Sequence, residues 1–462
     1  MYGISYESGD QKAFFLRHSC DRRGCGRFFR CGLCGTYRSG ADVILAERDG
    51  CLGGTATVGL VGPFMSAFDP TGSRQVIAGF MDEFIRRMEA AGGAIHPTNC
   101  LGGDSYSAYR INGHIGVTPF DPECFKLTAE AMCKEAGVRL LYHVLFVSCE
   151  KDGDSRIRTA YFATKNGIYA IDAKQFIDCT GDADLAAACG APTVFGDEEG
   201  RTQVSSIFFL IDGVDKGQLE AHLAQYPEST HQTQRYFEDA VKQAQLEGRF
   251  PCQRSRVSVF EGMNGIWRVN MAQYDGKVDF SDPEEVTKAE TVCRKQIHPL
   301  ITFLKENVPG FANIRLLQSS NSLGIRESRR IVGEYTLTME DMAAGRRFED
   351  GICLVGSAVD FHGKNDQKGN YRGAYYVPGR EAAQIPLRCL LPQSVDNLLA
   401  AGRCLSADQM AHSAVRVMPP CFAMGQAAGT AAALAVQKGI SPKQLDCAVL
   451  REKLLADGVC LE

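Results

Sequence analysis

The sequence predicts an α/β protein with a central parallel sheet, and three features lead to that fold class. From residue 41 onward, short apolar runs alternate with stretches rich in alanine and glycine, as strands and helices do in α/β proteins. The run ADVILAER at 41–48 is apolar until it ends in charged residues, which is typical of a parallel strand buried on both faces. Between 138 and 172, Asp-Gly and Asn-Gly turns separate further apolar runs and predict an antiparallel β-meander.

The remaining elements follow from apolar spacing and from residues that start or stop helices. They are, in order, a helix at 75–91, a helix from Asp121-Pro122 to Gly137, a last buried strand at 175–179, amphipathic helices around 283–308, and a small-residue helix within 418–439. The region from about 203 to 380 is more polar and aromatic and contains the single tryptophan, Trp267. We therefore expect it to form a separate region that faces the substrate.

Length, charge and cysteine content restrict the class of protein. The chain has 462 residues, with 50 Lys plus Arg, 55 Asp plus Glu and a net charge of −5. This balance excludes the basic surface of a nucleic-acid or anionic-membrane binder, so we expect a small-molecule partner. No apolar run reaches the ~18 residues of a bilayer span, and the N-terminus does not resemble a signal peptide, so we expect a cytoplasmic protein. Its 19 cysteines are expected to be mostly reduced and buried.

The first constellation is the strand end at 41–48 and the DGCLGGTAT segment that follows it. In a dinucleotide-binding βαβ unit, an acid after the second strand accepts hydrogen bonds from a ribose, and nearby glycines allow close backbone approach. Glu47 has the position of that acid, and Gly53 and Gly54 supply the approach. An ordinary solvated strand end would give the same pattern.

The second constellation is FIDCTGDADLA, which places Thr180, Gly181 and Asp182 at the carboxyl end of a buried strand. Open α/β sheets bind their ligands at that end. A plain strand-to-helix turn with Asp182 or Asp184 as the helix N-cap explains the same residues.

The third constellation lies near the C-terminus, where Gly402 and Arg403 follow a predicted strand. Gly425 and Gln426, with Gly429, are expected at the start of the small-residue helix, where free N–H groups and the helix dipole stabilise a negative ligand. Close helix packing alone would also explain the small residues. It would explain Arg403, His412 and Arg416 less well.

Together these segments resemble FAD-dependent oxidoreductases of the glutathione-reductase-like type, in the subgroup related to the heterodisulfide-reductase flavin subunit. The resemblance runs from 41 to about 446 and rests on GADVILAERDGCLGGTATVGLVGPFM, PFDPECFKLTAEAM, FIDCTGDADLA, LGIRESRRIVGEYTLT and GRCLSA…RVMPPCFAMGQAAGTAAALA. It implies a Rossmann-like FAD-binding domain, with a central parallel sheet and a β-meander, and an inserted α+β substrate domain.

The resemblance also implies roles and boundaries. The residues expected to bind FAD are Glu47, Arg48, Gly53, Gly54, Thr55, Thr180, Gly181, Asp182, Gly402, Arg403, Gly425 and Gln426. The expected FAD-binding domain comprises 41–74, 115–202 and 390–462, the substrate or cap region comprises 75–114 and 203–389, and 1–40 is an atypical N-terminal segment.

That N-terminal segment departs from the family pattern. A member should open with a strand and a GxGxxG/A loop whose glycines let the backbone contact the pyrophosphate. The chain instead reads LRHSCDRRGCGRFFRCGLCGTYR at 16–38, with six Arg, four Cys and a single acid. A buried strand is excluded there, because its arginines would be left unpaired in a core.

Three explanations remain for this segment. Cys20, Cys25, Cys31 and Cys34 suggest a zinc or iron–sulfur site, although only the last pair has CxxC spacing, and we assign no metal. A disordered basic arm is the second. The third, which we favour, is a reading-frame slip. Codons exist for 16–38 that, read one nucleotide later, encode YDIVVIGGGAGAFSAAVCAARTG, which contains the missing strand, glycine loop and helix.

The expected reaction is hydride transfer between a small-molecule substrate and the flavin, since the cofactor supplies the redox chemistry and the protein positions it. Arg416, or the positive end of the Gly425 helix, is expected to stabilise the reduced flavin, and His412 to act as an acid or base unless it is a structural histidine. Arg326 is expected to bind a substrate carboxylate or to belong to a structural salt-bridge cluster with Glu327, Arg329 and Arg330. Loss of the phosphate loop is expected to weaken FAD binding. The alternatives are a non-catalytic remnant of a flavoprotein and an electron-transfer subunit that uses the N-terminal cysteines with a redox partner.

Overall fold

The computed structural model describes residues 41–69, 72–100, 116–226, 237–276, 278–357, 359–362 and 382–462, and the backbone of three two-residue strands. The strands are β1 Arg17–His18, β2 Phe29–Arg30, β3 Thr36–Tyr37, β4 Ala41–Asp42, β5 Ile44–Ala46, β6 Arg139–Leu141, β7 Leu145–Asp152, β8 Arg156–Thr164, β9 Gly167–Asp172, β10 Phe176–Asp178, β11 Thr193–Phe195, β12 Ser205–Asp212, β13 Val259–Glu261, β14 Trp267–Tyr274, β15 Arg315–Ser319, β16 Arg329–Ile331, β17 Gly351–Val355, β18 Ala383–Pro386 and β19 Leu398–Ala400.

The α-helices of the same residues are α1 Phe80–Ala90, α2 Pro122–Glu135, α3 Asp184–Ala188, α4 Lys216–Leu223, α5 Glu238–Leu246, α6 Pro283–Asn307, α7 Met339–Ala343, α8 Gln409–Val415, α9 Met418–Lys438 and α10 Cys447–Ala456. Short 3₁₀ turns occur at Gly54–Ala56, Pro97–Cys100, Met263–Gly265, Leu387–Leu390 and Pro442–Gln444. The mixture of strands and helices confirms the α/β class.

Parallel pairing occurs in two separate places. β5 pairs in parallel with β6, with Leu45 opposite Leu140, and β10 pairs in parallel with β19, with Ile177 opposite Leu399. Both pairs are short, and β10 and β19 are buried throughout, as parallel strands covered on both faces should be. Among the described strands, none joins the two pairs into one sheet. The two-residue strands β1 and β4 pair antiparallel instead.

The meander predicted from the turn pattern is confirmed. β7, β8 and β9 form an antiparallel sheet in that order, and its apolar side chains share a buried cluster with β5, β10 and β19. The turns at Asp152-Gly153 and Asn166-Gly167 lie at or next to the ends of these strands, where a short loop reverses the chain. The meander therefore packs against both parallel pairs.

A four-stranded antiparallel sheet lies within the region expected to face the substrate. Its strand order is β13-β14-β12-β15, and α6 packs against it. Trp267, Phe209 and Leu300 are among the side chains of a buried core that is separate from the cluster around the parallel strands. This four-stranded sheet is the largest sheet among the described residues.

Helix boundaries follow the sequence prediction in two cases and differ in two others. Asp121 caps α2, accepting hydrogen bonds from the next turn, and the long helix near 283–308 is α6. The helix predicted at 75–91 begins only at Phe80, because Gly79 has a left-handed φ of 65° that no regular helix has. The small-residue helix α9 begins at Met418, so the prediction that Gly425 and Gln426 start it is wrong.

Two further expectations concern a membrane-spanning helix and a metal site at the N-terminal cysteines. No described helix has the length and apolarity that crossing a bilayer requires. The four cysteines at 20–34 lie outside the described residues; elsewhere in the described chain, no group of three or more His, Cys, Asp or Glu side chains is arranged to hold a metal ion.

Candidate functional site

A tight turn follows β10 and is organised by the carboxylate of Asp178. One oxygen accepts hydrogen bonds from the Thr180 backbone N–H at 3.0 Å and from the Thr180 hydroxyl at 2.7 Å. The other accepts from the Ala186 N–H at 3.0 Å, so the side chain ties the strand end to α3. Asp178 is buried, and a buried carboxylate is stable only when its oxygens are satisfied in this way. Sequence reasoning missed this residue, although an acid inside the apolar run FID was a visible signal.

The turn itself places Gly181 and Asp182 against Arg403. Gly181 has a φ of 80°, and a Cβ there would lie 2.5 Å from Nη2 of Arg403. The same Nη2 lies 3.1 Å from Oδ1 of Asp182, and the Ser328 hydroxyl donates to that oxygen at 2.6 Å. The backbone therefore approaches the guanidinium at a point where only glycine fits without displacing it.

The surroundings of Asp182 determine the charge of its carboxyl group. Burial raises the pKa of Asp182, but the positive charge of Arg403 and the hydrogen bonds from Ser328 and Arg403 outweigh it, so the pKa lies below its usual value. Asp182 is therefore ionised at neutral pH. The other terminal nitrogen of Arg403, Nη1, is buried and has no hydrogen-bond partner among the described residues.

The turn between β10 and α3 is not capped as the plain structural reading expected. The N-cap of α3 is Ala183, in the left-handed conformation and without a side-chain cap, so neither Asp182 nor Asp184 serves as the cap. Both carboxylates instead bind arginines: Asp184 contacts Arg329 at 2.5 Å and Asp182 contacts Arg403. The N–H groups at the start of α3 have other acceptors: the Asp184 N–H donates to the Thr180 hydroxyl oxygen at 3.1 Å and the Ala186 N–H to Asp178 at 3.0 Å.

The strand end after β5 lies near this turn. The Asp49 N–H donates to Oε1 of Glu47 at 3.0 Å, and burial raises the pKa of Glu47. Arg48 is exposed, and its positive charge is among those that act on Asp182. Arg48 therefore lies within electrostatic range of the turn after β10.

The two glycines after Glu47 have different surroundings. Gly53 has a φ of 109°, and a Cβ there would lie 2.7 Å from the ring of Phe125 and 2.7 Å from the Thr57 methyl. Gly54 has open space around it, and Thr55 is exposed. Gly53 is therefore packed closely against Phe125 and Thr57, and its expected contact with FAD stays a prediction.

The first turn of α9 also reaches this region. Sγ of Cys421 lies 3.9 Å from the position of a Cβ on Gly402, directly after β19. The first three helical residues are Met418, Pro419 and Pro420, and the prolines have no N–H to donate. The expected cluster of free N–H groups is therefore reduced, although the positive end of the helix dipole stays at this point.

Gly425 and Gln426 lie away from the start of α9. Gln426 is buried, and its Oε1 accepts a hydrogen bond from the Phe80 N–H at 3.0 Å, at the start of α1. A Cβ on Gly79 would lie 2.6 Å from the same oxygen. Gln426 thus caps α1, and the place expected for it at the helix N-terminus belongs to residues 418–421.

His412 contacts the backbone of Arg403, and Arg416 lies at the end of the same helix, α8. His412 is buried, with Nε2 at 2.8 Å from the Arg403 carbonyl oxygen, and Nδ1 has no partner among the described residues. Burial, and then the charges of Arg330 and Arg416, hold the pKa of His412 well below its usual value, so the ring is neutral. Arg416 donates to the Asp360 carbonyl at 2.7 Å and to Oε1 of Gln203 at 3.3 Å.

Glu327, Ser328 and Gln203 complete the surroundings; sequence reasoning weighed Glu327 as part of a salt-bridge cluster and missed Ser328 and Gln203. Glu327 is fully buried, forms an ion pair with Arg330, and accepts hydrogen bonds from the Gln203 N–H and the Gln409 amide, each at 3.0 Å. The motif LGIRESRR contains both acid and bases, and the acid next to so many arginines was the available signal. Arg330 is therefore an ion-pair partner inside the fold.

The site can now be compared with known proteins. The family model of FAD dependent oxidoreductases matches residues 34–454. The chain belongs to this family. FAD is therefore the cofactor. The match begins at residue 34, so most of the arginine- and cysteine-rich segment lies outside it.

The solved structures that match this chain share little sequence identity with it. A geranylgeranyl bacteriochlorophyll reductase-like protein from Thermoplasma acidophilum has 11% identity and a TM-score of 0.34, covering 73% of this chain, which spans 59% of that protein. p-Nitrophenol 4-monooxygenase from Pseudomonas putida has 12% identity and a TM-score of 0.40, covering 91% of this chain and 81% of that one. Anhydrotetracycline hydroxylase from Streptomyces rimosus has 11% identity and a TM-score of 0.38, covering 90% of this chain and 61% of that one. No curated protein matched.

The described residues fit FAD in part. The turn at Gly181 has no space for a side chain, and Arg403 and Arg416 each have a buried N–H group without a partner among the described residues. Such groups suit a polar, negatively charged cofactor. The pyrophosphate, however, needs a glycine loop and a helix N-terminus after the first strand, and residues 1–40 contain no GxGxxG/A sequence. The family relationship and the sequence thus disagree at one part of the cofactor site.

Proposed function

We propose that the protein is an oxidoreductase that transfers a hydride between a small-molecule substrate and FAD. FAD, when bound, supplies the hydride-accepting and hydride-donating chemistry. The observation that carries the proposal is the convergence of Asp182, Arg403 and the first turn of α9 at the carboxyl ends of the parallel strands, where α/β proteins bind nucleotides.

The roles of individual residues follow from their contacts. Glu47 would accept hydrogen bonds from the ribose, since it is an acid that directly follows a parallel strand. Asp182 holds Arg403 in place, and the unpartnered Nη1 of Arg403 would bind an acceptor atom of the cofactor. Arg416 precedes α9, so its positive charge and the helix dipole would together stabilise negative charge on the reduced cofactor.

His412 is a positioning residue in this proposal. Its Nε2 bonds to the Arg403 carbonyl, so the ring proton is on Nε2 and holds the loop that carries Arg403. An acid or base near neutral pH needs a pKa near that pH, and the pKa of His412 lies well below its usual value because of burial and the nearby arginines. The expected acid–base role is therefore less well supported than a role in orientation.

We further propose that the chain with this sequence binds FAD weakly because of a reading-frame slip at 16–38. In a Rossmann sheet the strand order is 3-2-1-4-5. β6 and β5 correspond to strands 3 and 2, and β10 and β19 correspond to strands 4 and 5. The place between the two pairs belongs to strand 1, which is the strand that the shifted reading would supply. A non-catalytic remnant is the competing interpretation, favoured by the same missing loop.

Two experiments test these proposals. Nucleotide sequencing across codons 16–38 should show that the frame one nucleotide later encodes YDIVVIGGGAGAFSAAVCAARTG; any other reading rejects the slip. A restored chain, with residues 16–38 replaced by that sequence and loaded with FAD, should then lose its visible flavin absorbance when mixed anaerobically with NADH or with dithionite. It should regain the absorbance on addition of a small-molecule acceptor from a panel of ketones, enones and disulfides. A chain that is reduced by dithionite yet exchanges electrons with none of these compounds supports the remnant.

A further inference from the structure

A buried histidine, His96, connects a carboxylate to an exposed hydroxyl beside α1. His96 is 1% exposed, and its two ring nitrogens contact different side chains. Nε2 lies 2.9 Å from Oδ1 of Asp82 on α1, and Nδ1 lies 2.7 Å from Oγ1 of Thr98 in the 3₁₀ turn Pro97–Cys100. Thr98 is exposed. A carboxylate, an imidazole and a surface hydroxyl thus form one hydrogen-bonded chain, made of residues that the proposed FAD site does not use.

The contacts of Nδ1 determine which ring nitrogen carries the proton. The Thr98 backbone N–H lies 3.4 Å from Nδ1, and a backbone N–H can only donate, so Nδ1 is the acceptor. The Thr98 hydroxyl therefore donates to Nδ1, and the ring proton on Nε2 of His96 donates to Asp82. The hydroxyl contact, at 2.7 Å, is much shorter than the backbone contact, so the hydroxyl is the main partner of Nδ1.

Asp82 is held in position and is ionised. Its Oδ1 also accepts a hydrogen bond from the Gln75 amide at 3.0 Å, and its Oδ2 accepts one from Nε of Arg86 at 2.7 Å. Burial raises the pKa of Asp82, but these two hydrogen bonds and the one from His96 outweigh it, so the pKa lies below its usual value. A fixed carboxylate at an imidazole N–H orients the ring and stabilises the positive charge that forms when the ring accepts a proton.

A second carboxylate fixes the backbone on both sides of Thr98. Oε1 of Glu89, near the end of α1, accepts hydrogen bonds from the His96 N–H at 2.7 Å and from the Asn99 side-chain amide at 3.0 Å. The turn that carries Thr98 is thereby tied to α1. Reactive groups need such support from a rigid element to keep their geometry.

We infer that Thr98 is the nucleophile of an acyl-transfer site, with His96 as its general base and Asp82 as the positioning residue. A nucleophile that lies within about 2.6–3.2 Å of a base, where a third group orients that base, is typical of nucleophilic catalysis. The substrate class is an uncharged carboxylic ester, because the negative charges of Asp82 and Glu89 disfavour a phosphate or a carboxylate. This activity needs no FAD and does not rest on the proposed function.

The reaction consists of two steps. The Thr98 oxygen attacks the ester carbonyl carbon, and its proton moves to Nδ1 of His96. The bond from the carbonyl carbon to the leaving oxygen then breaks, and the leaving alcohol takes the proton from Nδ1. In the second step a water molecule attacks the acyl group on Thr98 and gives a proton to Nδ1. The Thr98 oxygen takes up that proton as the carboxylic acid leaves.

The test measures ester hydrolysis by the full chain, with p-nitrophenyl acetate as the probe. We expect release of p-nitrophenolate that saturates with ester concentration, and an acetyl group on Thr98 in peptide mass spectra of acid-quenched protein. p-Nitrophenyl phosphate should not be cleaved. Release of p-nitrophenolate that does not exceed that of the Thr98→Val chain overturns the inference.

Variants of Thr98 separate this hydroxyl from other groups that react with esters. Thr98→Val keeps the shape of the side chain and removes the hydroxyl, so turnover should fall about 100-fold or more. Thr98→Ser keeps the hydroxyl and should retain most of the turnover. Thr287→Val, at an exposed threonine of α6, is the matched control and should react as the parent does.

Asp82→Asn tests the positioning role. The asparagine amide can donate to Nε2 and would move the ring proton of His96 to Nδ1, so kcat should fall about 100-fold or more while KM stays near that of the parent. If Asp82→Asn does not fold, the Thr98 variants decide the question, since Thr98 is exposed.

A structural role would give a different result. If Asp82→Asn keeps the kcat of the parent, or if Thr98→Val turns over the ester as the parent does, the network only holds the turn to α1 and the inference is wrong. In the restored chain, Thr98→Val should bind FAD as tightly as its parent, so failure of this inference does not affect the proposed function.

Discussion

The two sheet regions of this protein differ in their completeness. The antiparallel sheet β13-β14-β12-β15 is continuous, and α6 covers a core around Trp267. The parallel strands instead form two separate pairs, β6-β5 and β10-β19, which are joined through the meander and not through a common neighbour among the described strands. All strands of the first sheet come from residues after 204, whereas the middle strand of the second would come from 16–38.

This difference indicates that the fold and the affinity for FAD depend on different parts of the chain. Glu47 and Arg403, which we propose as contacts of FAD, are each held by a short-range contact: the Asp49 N–H donates to Glu47, and Asp182 pairs with Arg403. The pyrophosphate would need a glycine loop, and residues 1–40 contain no GxGxxG/A sequence. A protein can therefore keep the shape of a flavoprotein while its affinity for FAD falls.

The largest expected difference between the two regions is in amide hydrogen exchange. In the chain with this sequence, the amides of β5 and β10 should exchange at least about 100-fold faster than in the restored chain, because a parallel neighbour between them would protect both edges. The amides of β12, which has partners on both sides, should exchange equally in both chains. If the amides of β5 and β10 exchange at the same rate in both chains, the parallel strands do not lack a neighbour and the claim that this region is incomplete is wrong.

The second expected effect concerns the turn after β10. Asp178→Ala should lower the free energy of unfolding by about 3 kcal/mol, since three hydrogen bonds end on a buried carboxylate and their donors would lose their partner. Asp178→Asn keeps one acceptor oxygen and should cost less. Chemical denaturation of both variants measures this, and an Asp178→Ala protein as stable as the parent would show that the turn does not need the carboxylate.

A third effect, of about 1–2 kcal/mol, distinguishes close approach from backbone strain at glycine. Gly181 and Gly190 both have a φ of 80°, but only Gly181 faces Arg403, while Gly190 has open space. Both Gly181→Ala and Gly190→Ala should destabilise the protein. In the restored chain only Gly181→Ala should also weaken FAD binding, as measured by fluorescence titration. Equal FAD affinity in the two variants would place the cofactor away from the turn.

The smallest effect is expected at Glu47. Its raised pKa, caused by burial, means that the folded state favours the protonated form, so stability falls as pH rises through the raised pKa. Glu47→Gln should remove that pH dependence and be more stable than the parent at pH 7, and in the restored chain it should bind FAD about tenfold more weakly. Glu123→Gln, at an exposed glutamate, is the control. Unchanged FAD affinity in Glu47→Gln would reject the ribose contact.

Sequence reasoning was most accurate where local rules decide the structure. The cap at Asp121, the meander turns and the buried strand before Thr180 follow from residue types over a few positions. It failed where distant contacts decide: Gln426 caps α1 and does not lie at the start of its own helix. Gln203 was missed because its contacts, with Arg416 and Glu327, come from residues far away in the sequence.

The most direct measurement is the molar ratio of FAD to protein after purification, read from the visible flavin absorbance of the chain with this sequence and of the restored chain. The account predicts a substoichiometric ratio for the first and an equimolar one for the second, because only the second has a glycine loop for the pyrophosphate. Equimolar FAD in the chain with this sequence would contradict the account, since the cofactor would then be held without the loop.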